Sequence, residues 1–123
     1  MSNLRKIKTL KNLSKICSSL KKKKKKIVLC HGVFDLLHIG HIKHFNEAKE
    51  NGDILVVSLT KDEFINKGFN RPVFKINERM LSITALEIVD FVVESPASNS
   101  LKVIQALKPD IYAKGPDYKN LKL

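Results

Sequence analysis

The order of apolar and polar positions along the chain alternates between two patterns. Short apolar runs typical of buried strands occur at residues 27–30, 54–59, 91–93 and 111–113. Segments with the three-to-four-residue period of helices occupy residues 40–51, 77–86 and 99–107, with one short helical turn near residues 62–66. Strands joined through helices of about ten residues imply right-handed crossovers and a parallel sheet. The pattern therefore predicts an α/β fold in which a parallel sheet carries helices on both faces.

The first 26 residues carry a separate amphipathic pattern. Apolar residues recur every three or four positions from Leu4 to Leu20, which indicates one face of a helix. A run of six lysines, residues 21–26, then leads into the first apolar run. We therefore predict a basic N-terminal helix and lysine linker over residues 1–26, followed by a single Rossmann-like domain over residues 27–123.

Charge is divided unevenly between these two parts. The formal net charge of +11 is typical of a nucleic-acid-binding protein at first sight. However, residues 1–26 contain 11 Lys and Arg and no acidic residue, whereas residues 27–123 contain 12 basic and 12 acidic residues. The predicted domain therefore has no net charge, and a nucleic-acid partner is not expected for it.

Two further features bear on the compartment. No apolar run approaches the roughly 20 residues that span a bilayer, so no membrane span is predicted. Cys17 and Cys30 form no closely spaced metal or redox motif. We interpret them as buried thiols of a reducing, cytoplasmic compartment.

The most informative segment is a ten-residue turn that follows the first apolar run, Gly32-Val33-Phe34-Asp35-Leu36-Leu37-His38-Ile39-Gly40-His41. We call it the glycine–histidine turn. Its order is strand, glycine turn and helix start, and a helix start presents free N–H groups to an anion. His38 and His41 are three residues apart, so both can face one ligand, and Gly32 and Gly40 let the backbone approach phosphates closely. The turn therefore predicts a polyphosphate site.

Such a site suits nucleotidyl transfer, in which positioned cations and N–H donors supply most of the catalysis. The attacking phosphate is already an anion, so no general base is needed. Candidate cations follow along the chain: Lys67, Arg71, Lys75 and Arg79. The alternative interpretation of these four side chains is a solvated or ion-paired role at the surface. Asp35 can orient a histidine, hold Mg²⁺ through water, or only cap the turn through backbone N–H groups.

Two other histidines are less informative. His31 either lines the pocket or ends the strand, and the sequence favours neither. His44 is expected on the surface of the next helical turn. A zinc site formed by His38, His41 and His44 is disfavoured, because no cysteine or carboxylate completes it at matching spacing.

The glycine–histidine turn resembles the G-x-F-D-x-x-H-x-G-H element of the cytidylyltransferase-like nucleotidyltransferases. Within that family the chain is most similar, from about residue 7 to residue 119, to the adenylyltransferase domain of bifunctional ADP-heptose synthases. The segments similar to that domain include Arg71-Pro72-Val73, Glu78-Arg79-Met80 and Lys114-Gly115-Pro116-Asp117-Tyr118. Glycerol-3-phosphate cytidylyltransferases are the next most similar.

The resemblance implies transfer of a nucleoside monophosphate, AMP in preference to CMP, from an NTP with Mg²⁺ to a sugar phosphate, with release of pyrophosphate. It implies that His38 and His41 bind the triphosphate and that Lys67 and Arg79 contact phosphates. It also places phosphate or nucleotide contacts in two further sets: Gly32, Val33, Phe34, Asp35, Gly40 and Arg71 on the phosphate side, and Lys114, Gly115 and Asp117 near the nucleoside. A homodimer, fusion or association with a sugar kinase domain, and a connector role for the lysine run follow from the same resemblance.

Two departures from the family pattern matter. Val33 stands where these families often have Thr or Cys, so only its backbone N–H can serve a ligand. The Ser/Thr-rich helix start that normally completes the nucleotide pocket does not occur before Leu123, so we expect the domain to be C-terminally incomplete. This departure motivates one alternative, a nucleotide-binding regulatory module without turnover. The lysine run alone motivates another, a nucleic-acid-binding protein.

Overall fold

The computed structural model describes residues 2–65, 72–114 and 121–122. Its six strands are β1 (Ile7–Lys8), β2 (Ile27–Gly32), β3 (Ile54–Thr60), β4 (Phe91–Ser95), β5 (Ile111–Tyr112) and β6 (Leu121–Lys122). Its four α-helices are α1 (Leu10–Lys22), α2 (Ile39–Glu50), α3 (Ile76–Thr84) and α4 (Leu101–Leu107). Two short 3-10 helices cover Ser2–Lys6 and Asp62–Phe64. Every predicted strand and helix of residues 27–113 is present, with shifts only at the ends.

The sheet has the strand order β1-β4-β3-β2-β5-β6, and the first five strands in this order are parallel. β6 pairs antiparallel with β5 at the other edge. The predicted Rossmann-like parallel sheet is therefore confirmed. β2 lies between β3, which follows it directly, and β5, which follows much later. The strand order reverses at β2, and ligands of such sheets bind beyond the carboxyl ends of the strands at this point.

Apolar side chains form a separate core on each face of the sheet. On one face, α2 and α3 cover Val28, Leu55 and Val57, with Phe45 of α2 fully buried. On the other, α1 and α4 cover Leu29 and the remaining inward positions of the strands. Helices thus cover both faces, as predicted. The glycine–histidine turn leads into α2, which shares the first face with α3.

The N-terminal segment differs from its prediction. The expected single helix over Leu4 to Leu20 is interrupted, because residues 7 and 8 pair with β4 as an edge strand. α1 starts afterwards, where the Thr9 hydroxyl accepts the N–H of Asn12 as an N-cap. A two-residue strand leaves the three-to-four-residue apolar spacing almost unchanged, so periodicity does not reveal it.

The same segment is part of the domain rather than an extension of it. Leu13 and Cys17 of α1 are fully buried in the second core. The Lys6 Nζ donates to the carbonyls of Thr84 and Leu86 at the end of α3, 3.1 and 3.0 Å away. α1 therefore packs on the sheet of the domain predicted for residues 27–123.

The lysine run connects α1 to β2. Lys21 and Lys22 end the helix, Lys24 adopts a left-handed conformation with φ 66°, and residues 22–26 are exposed. This geometry agrees with a solvated connector. Within the part of the chain that the structure describes, none of the helices has the length and apolarity to cross a membrane.

Replacement of Leu13 by alanine tests whether α1 belongs to the core. The lost packing and the cavity should lower the free energy of unfolding by about 3 kcal/mol. Leu4→Ala is the matched control, since Leu4 is exposed and its loss should cost about 0.5 kcal/mol or less. Urea unfolding measures both, and equal midpoints for the two variants would show that α1 adds little to the core.

Candidate active site

The glycine–histidine turn starts at the end of β2, where an aromatic ring folds back over the strand. Phe34 has φ 49°, a left-handed conformation, and its ring lies against Gly32, where a Cβ would be 2.8 Å from the ring Cζ. The same ring contacts Phe45 and His41 edge-on, with centroid distances of 5.1 and 5.4 Å. A side chain at residue 32 would therefore displace the Phe34 ring, which supports the side of the His41 ring.

His38 and His41 cap the start of α2 reciprocally. The His38 Nδ1 accepts the N–H of Gly40 at 3.0 Å, and the His41 Nδ1 accepts the N–H of His38 at 3.2 Å. Their ring centroids are 4.0 Å apart. A neutral imidazole that accepts through Nδ1 carries its proton on Nε2. The cap therefore selects one tautomer for each ring and leaves two Nε2–H donors at the helix start.

Gly40 makes room for this cap. A Cβ at residue 40 would lie 2.8 Å from Cε1 of His38. The absence of a side chain lets the His38 ring fold over the first turn of α2 and reach the backbone. The predicted role of Gly40 in close phosphate approach stays a prediction, and the structure adds this steric reason for glycine.

Burial favours the neutral form of His41. Partial burial lowers the pKa of His41 below 6.5, and the neighbouring His38 and His44 lower it further. At neutral pH His41 is therefore an uncharged N–H donor, and the positive end of the helix dipole supplies the fixed charge. A phosphate at the helix start would meet two imidazole Nε2–H donors together with the positive end of the helix dipole.

Asp35 connects two loops. Its two carboxylate oxygens accept the backbone N–H groups of Val73 and Phe74 at 2.7 and 2.8 Å. The N–H capping that the sequence left open is therefore present, but the capped groups belong to the segment before α3 instead of the turn's own backbone. A contribution of Asp35 to Mg²⁺ binding or to histidine orientation stays a prediction.

Arg79, predicted as a phosphate contact, is held by protein acceptors in the structure. Its side chain is 1% exposed, and its three guanidinium nitrogens have protein partners. Nε donates to the carbonyl of Phe74 at 2.9 Å, Nη1 to the carbonyl of Val33 at 2.9 Å, and Nη2 to the Asp62 carboxylate at 2.6 Å. The buried guanidinium therefore joins the loops around the site, and a phosphate contact of Arg79 stays a prediction.

The other predicted cations are only partly described. Lys75 is exposed at the N-cap position of α3, and Lys114 is half-buried just beyond β5, at the same sheet edge as the glycine–histidine turn. Outside the described residues lie two further predicted cations, Lys67 and Arg71, and two predicted nucleotide contacts, Gly115 and Asp117. Within the described ranges, His, Cys, Asp and Glu form no group of three or more that could hold a metal ion.

Two histidines were misjudged or left open from the sequence. His44 is buried, contrary to the expected surface position, and its burial lowers its pKa. His31 lies half-buried at the end of β2, with Nδ1 2.6 Å from the Ser58 hydroxyl and Nε2 3.4 Å from the Thr60 hydroxyl. The i, i+3, i+6 spacing of His38, His41 and His44 indicates a shared helix face. Spacing alone does not show whether that face is buried against the sheet.

A family model described as Cytidylyltransferase-like matches residues 29–121. The chain therefore belongs to the cytidylyltransferase-like family, and its class is that of the nucleotidyltransferases. Over 100 residues, 80% of this chain, it is 45% identical to the bifunctional protein HldE of Helicobacter hepaticus. Over 115 residues, 92% of the chain, it is 43% identical to the bifunctional protein HldE of Campylobacter jejuni subsp. doylei. The chain spans only 21% and 25% of the length of these two relatives.

Solved structures agree with the fold. The lipopolysaccharide core biosynthesis protein of Thermoplasma volcanium superposes with a TM-score of 0.66 at 35% identity, over 72% of each chain. Pantoate-beta-alanine ligase of Francisella tularensis, solved with beta-gamma ATP and beta-alanine, has a TM-score of 0.60 at 23% identity over 86% of this chain and 54% of its own. The second likeness shows the fold alone.

Substitution of Arg79 tests its positioning role. Arg79→Met removes three part-buried hydrogen bonds, including the ion pair with Asp62, so the free energy of unfolding should fall by about 3 kcal/mol. Lys75→Met, at an exposed neighbouring cation, is the control and should change stability by about 0.5 kcal/mol or less. Unchanged stability of Arg79→Met in urea, together with lost nucleotide affinity, would instead favour a direct phosphate contact.

The histidines also predict how stability depends on pH. Burial lowers the pKa of His31, His41 and His44 below their ordinary value of 6.5. The native state then binds fewer protons than the unfolded state between the two pKa values. Stability should be constant above pH 6.5 and fall as the pH is lowered through that value. Urea unfolding at several pH values measures the free energy of unfolding, and NMR titration of the ring protons assigns its change to individual histidines. An increase in stability on acidification would contradict the prediction.

Proposed function

We propose that the chain is the nucleotidyltransferase domain of an enzyme that transfers AMP from ATP to a sugar phosphate. The reciprocal cap of His38 and His41 is the observation that carries this proposal. The cap leaves two Nε2–H donors at the start of α2, beyond the central strand β2. The α- and β-phosphates of a nucleotide would be bound there. The family match and the position of the cap on the sheet point to the same reaction class.

The reaction needs little from the protein beyond positioning and charge stabilisation. A phosphate oxygen of the acceptor attacks the α-phosphorus of ATP, a new O–P bond forms, and the bond to the β-phosphate oxygen breaks to release pyrophosphate. Negative charge develops on the leaving pyrophosphate. His38 and His41 would donate their Nε2–H groups to these phosphate oxygens, and Lys67, Arg71 and Lys75 would offset charge between the two anions.

Mg²⁺ is proposed to enter with the nucleotide. Mg²⁺ prefers oxygen ligands, and at the glycine–histidine turn the structure offers N–H donors, which suit phosphate oxygens instead. Both oxygens of Asp35 already accept backbone N–H groups. The phosphates of ATP would therefore hold the ion, with Asp35 as a contact through water, and bound Mg²⁺ would offset the triphosphate charge.

The choice of base and acceptor rests on relatives. The chain resembles the adenylyltransferase domain of ADP-heptose synthases, and the similar Thermoplasma protein is named for lipopolysaccharide core biosynthesis. These relatives favour ATP over CTP and a sugar 1-phosphate over glycerol 3-phosphate. In this proposal Lys114, Gly115 and Asp117 bind the nucleoside beyond β5. The free, buried Cys17 and Cys30 agree with the proposed reducing, cytoplasmic compartment.

The bifunctional relatives favour a two-domain protein. The matched regions are only 21% and 25% of their lengths, so fusion to, or association with, a sugar kinase domain is proposed. A kinase would produce the phosphorylated acceptor that this domain consumes. A homodimer stays a prediction of the family resemblance.

Replacement of His41 tests the proposed function. In the full-length protein, His41→Ala should lower the rate of sugar-phosphate-dependent pyrophosphate release from ATP by about 100-fold or more, because a donor to the developing charge is lost. His38→Ala should do the same. Lys102→Ala, on the exposed side of α4, is the control and should leave the rate unchanged.

The outcomes separate the candidate functions. ATP binding by calorimetry without pyrophosphate release from any sugar phosphate would favour a regulatory module. An unchanged rate in His41→Ala would rule out the proposed role of the histidine cap.

A further inference from the structure

His31 is a half-buried histidine at the carboxyl end of β2 that the proposed reaction does not use. Its Nδ1 lies 2.6 Å from the Ser58 hydroxyl, and its Nε2 lies 3.4 Å from the Thr60 hydroxyl. Ser58 is fully buried and Thr60 is 5% exposed, so His31 is the member of this group that a ligand can reach. We call these three residues the histidine–hydroxyl cluster.

The histidine–hydroxyl cluster lies at the sheet edge where ligands of parallel sheets bind. His31 and Ser58 are register partners on β2 and β3, and Gly32, which begins the glycine–histidine turn, follows directly. Side chains alternate along a strand, which places His31 with Ile27 and Leu29 on the face covered by α1 and α4. α2 covers the opposite face. The cluster and the histidine cap of α2 therefore flank the carboxyl end of β2 from opposite faces.

The acceptor and the leaving pyrophosphate lie on opposite sides of the α-phosphorus in nucleotidyl transfer, because attack and departure are roughly in line. In the proposed function the pyrophosphate is bound at the start of α2, on one face of the sheet. The acceptor must then approach from the other direction, across the carboxyl ends of β2 and β3. The histidine–hydroxyl cluster lies on that side.

We propose that His31 binds a hydroxyl group of the sugar acceptor, and that this contact contributes to the choice of acceptor. The inference rests on the proposed function, because it assumes that pyrophosphate leaves at the start of α2. The phosphate of the acceptor would face the α-phosphorus, while its sugar ring would lie over the ends of β2 and β3. His31 is thus a substrate-binding residue and takes no proton during the transfer.

The chemistry of the cluster suits a sugar hydroxyl better than a phosphate. Both partners of His31 are uncharged hydroxyl groups, and desolvation lowers the pKa of His31, which favours the neutral ring. The contact of Nδ1 with Ser58 is short, whereas the 3.4 Å contact of Nε2 with Thr60 exceeds the usual hydrogen-bond length. A ligand can therefore join or replace Thr60 at Nε2. A hydroxyl both donates and accepts, so it fits this nitrogen in either tautomer.

Acceptor kinetics test the proposal with heptose 1-phosphate, the acceptor that the resemblance to ADP-heptose synthases favours. In the full-length protein, His31→Phe should raise KM for heptose 1-phosphate about tenfold and leave the affinity for Mg·ATP, measured by calorimetry, within about twofold. His31→Gln should recover much of the loss, because its amide still offers a hydrogen bond. Val103→Ala, in the core on the same face of the sheet, is the control for a general loss of stability and should leave both constants unchanged.

Deoxy analogues of the acceptor separate a direct contact from a structural role of His31. One monodeoxy heptose 1-phosphate should raise KM about tenfold in the wild-type protein and show no further rise in His31→Phe, since both changes remove the same hydrogen bond. The wild-type protein supplies a measurement that needs no variant. Addition of heptose 1-phosphate should shift the NMR resonances of the His31 ring.

Several results would overturn the role of His31. They are an unchanged KM for heptose 1-phosphate in His31→Phe, an equal loss of ATP affinity in that variant, an additive effect of His31→Phe with every deoxy analogue, and a His31 ring insensitive to heptose 1-phosphate. A wild-type protein that releases no pyrophosphate from ATP with heptose 1-phosphate would instead overturn the proposed function, and the inference with it.

Discussion

The structure around the site depends on the buried guanidinium of Arg79. This one group joins the loop after β2 at Val33, the 3-10 helix after β3 at Asp62, and the segment before α3 at Phe74. Burial of an arginine is costly unless its donors are satisfied, so the three acceptors must be supplied together. The loops at the carboxyl edge of β2 and β3 are thereby held to α3 in one arrangement. Asp35 strengthens it with two further hydrogen bonds to the same segment.

This frame lets the histidines act as part of the helix start. Capping residues are usually Ser, Thr, Asp or Asn, whose side chains satisfy free N–H groups and do little else. Here His38 and His41 satisfy two N–H groups through Nδ1 and retain Nε2–H for another partner. Each histidine therefore takes up one backbone N–H and presents an Nε2–H donor in its place. Burial keeps His41 neutral, so its hydrogen-bonding pattern is the same over the range above its lowered pKa.

Much of the fold could be predicted because its signals are local. The apolar runs of β2, β3 and β4 are long enough to indicate strands, and the glycine–histidine turn places a helix start after β2 from ten residues alone. The first strand was missed because two residues carry too little pattern, and because its pairing with β4 joins positions far apart in sequence. Arg79 was predicted as a cation that contacts phosphates, and its partners in the structure come from loops in three parts of the chain.

The sequence by itself therefore determined the order of strands and helices over residues 27–113, the parallel sheet, and the two histidines at the start of α2. Each follows from spacing within a short stretch, where backbone geometry leaves few choices. Only the tertiary structure decided which polar groups are internal and which partners they have. Arg79 and His44 turned inward and Asp35 joined a second loop, because a buried donor or acceptor takes whichever partner the packing brings near. Such partners come from segments distant in sequence, and no local pattern records them.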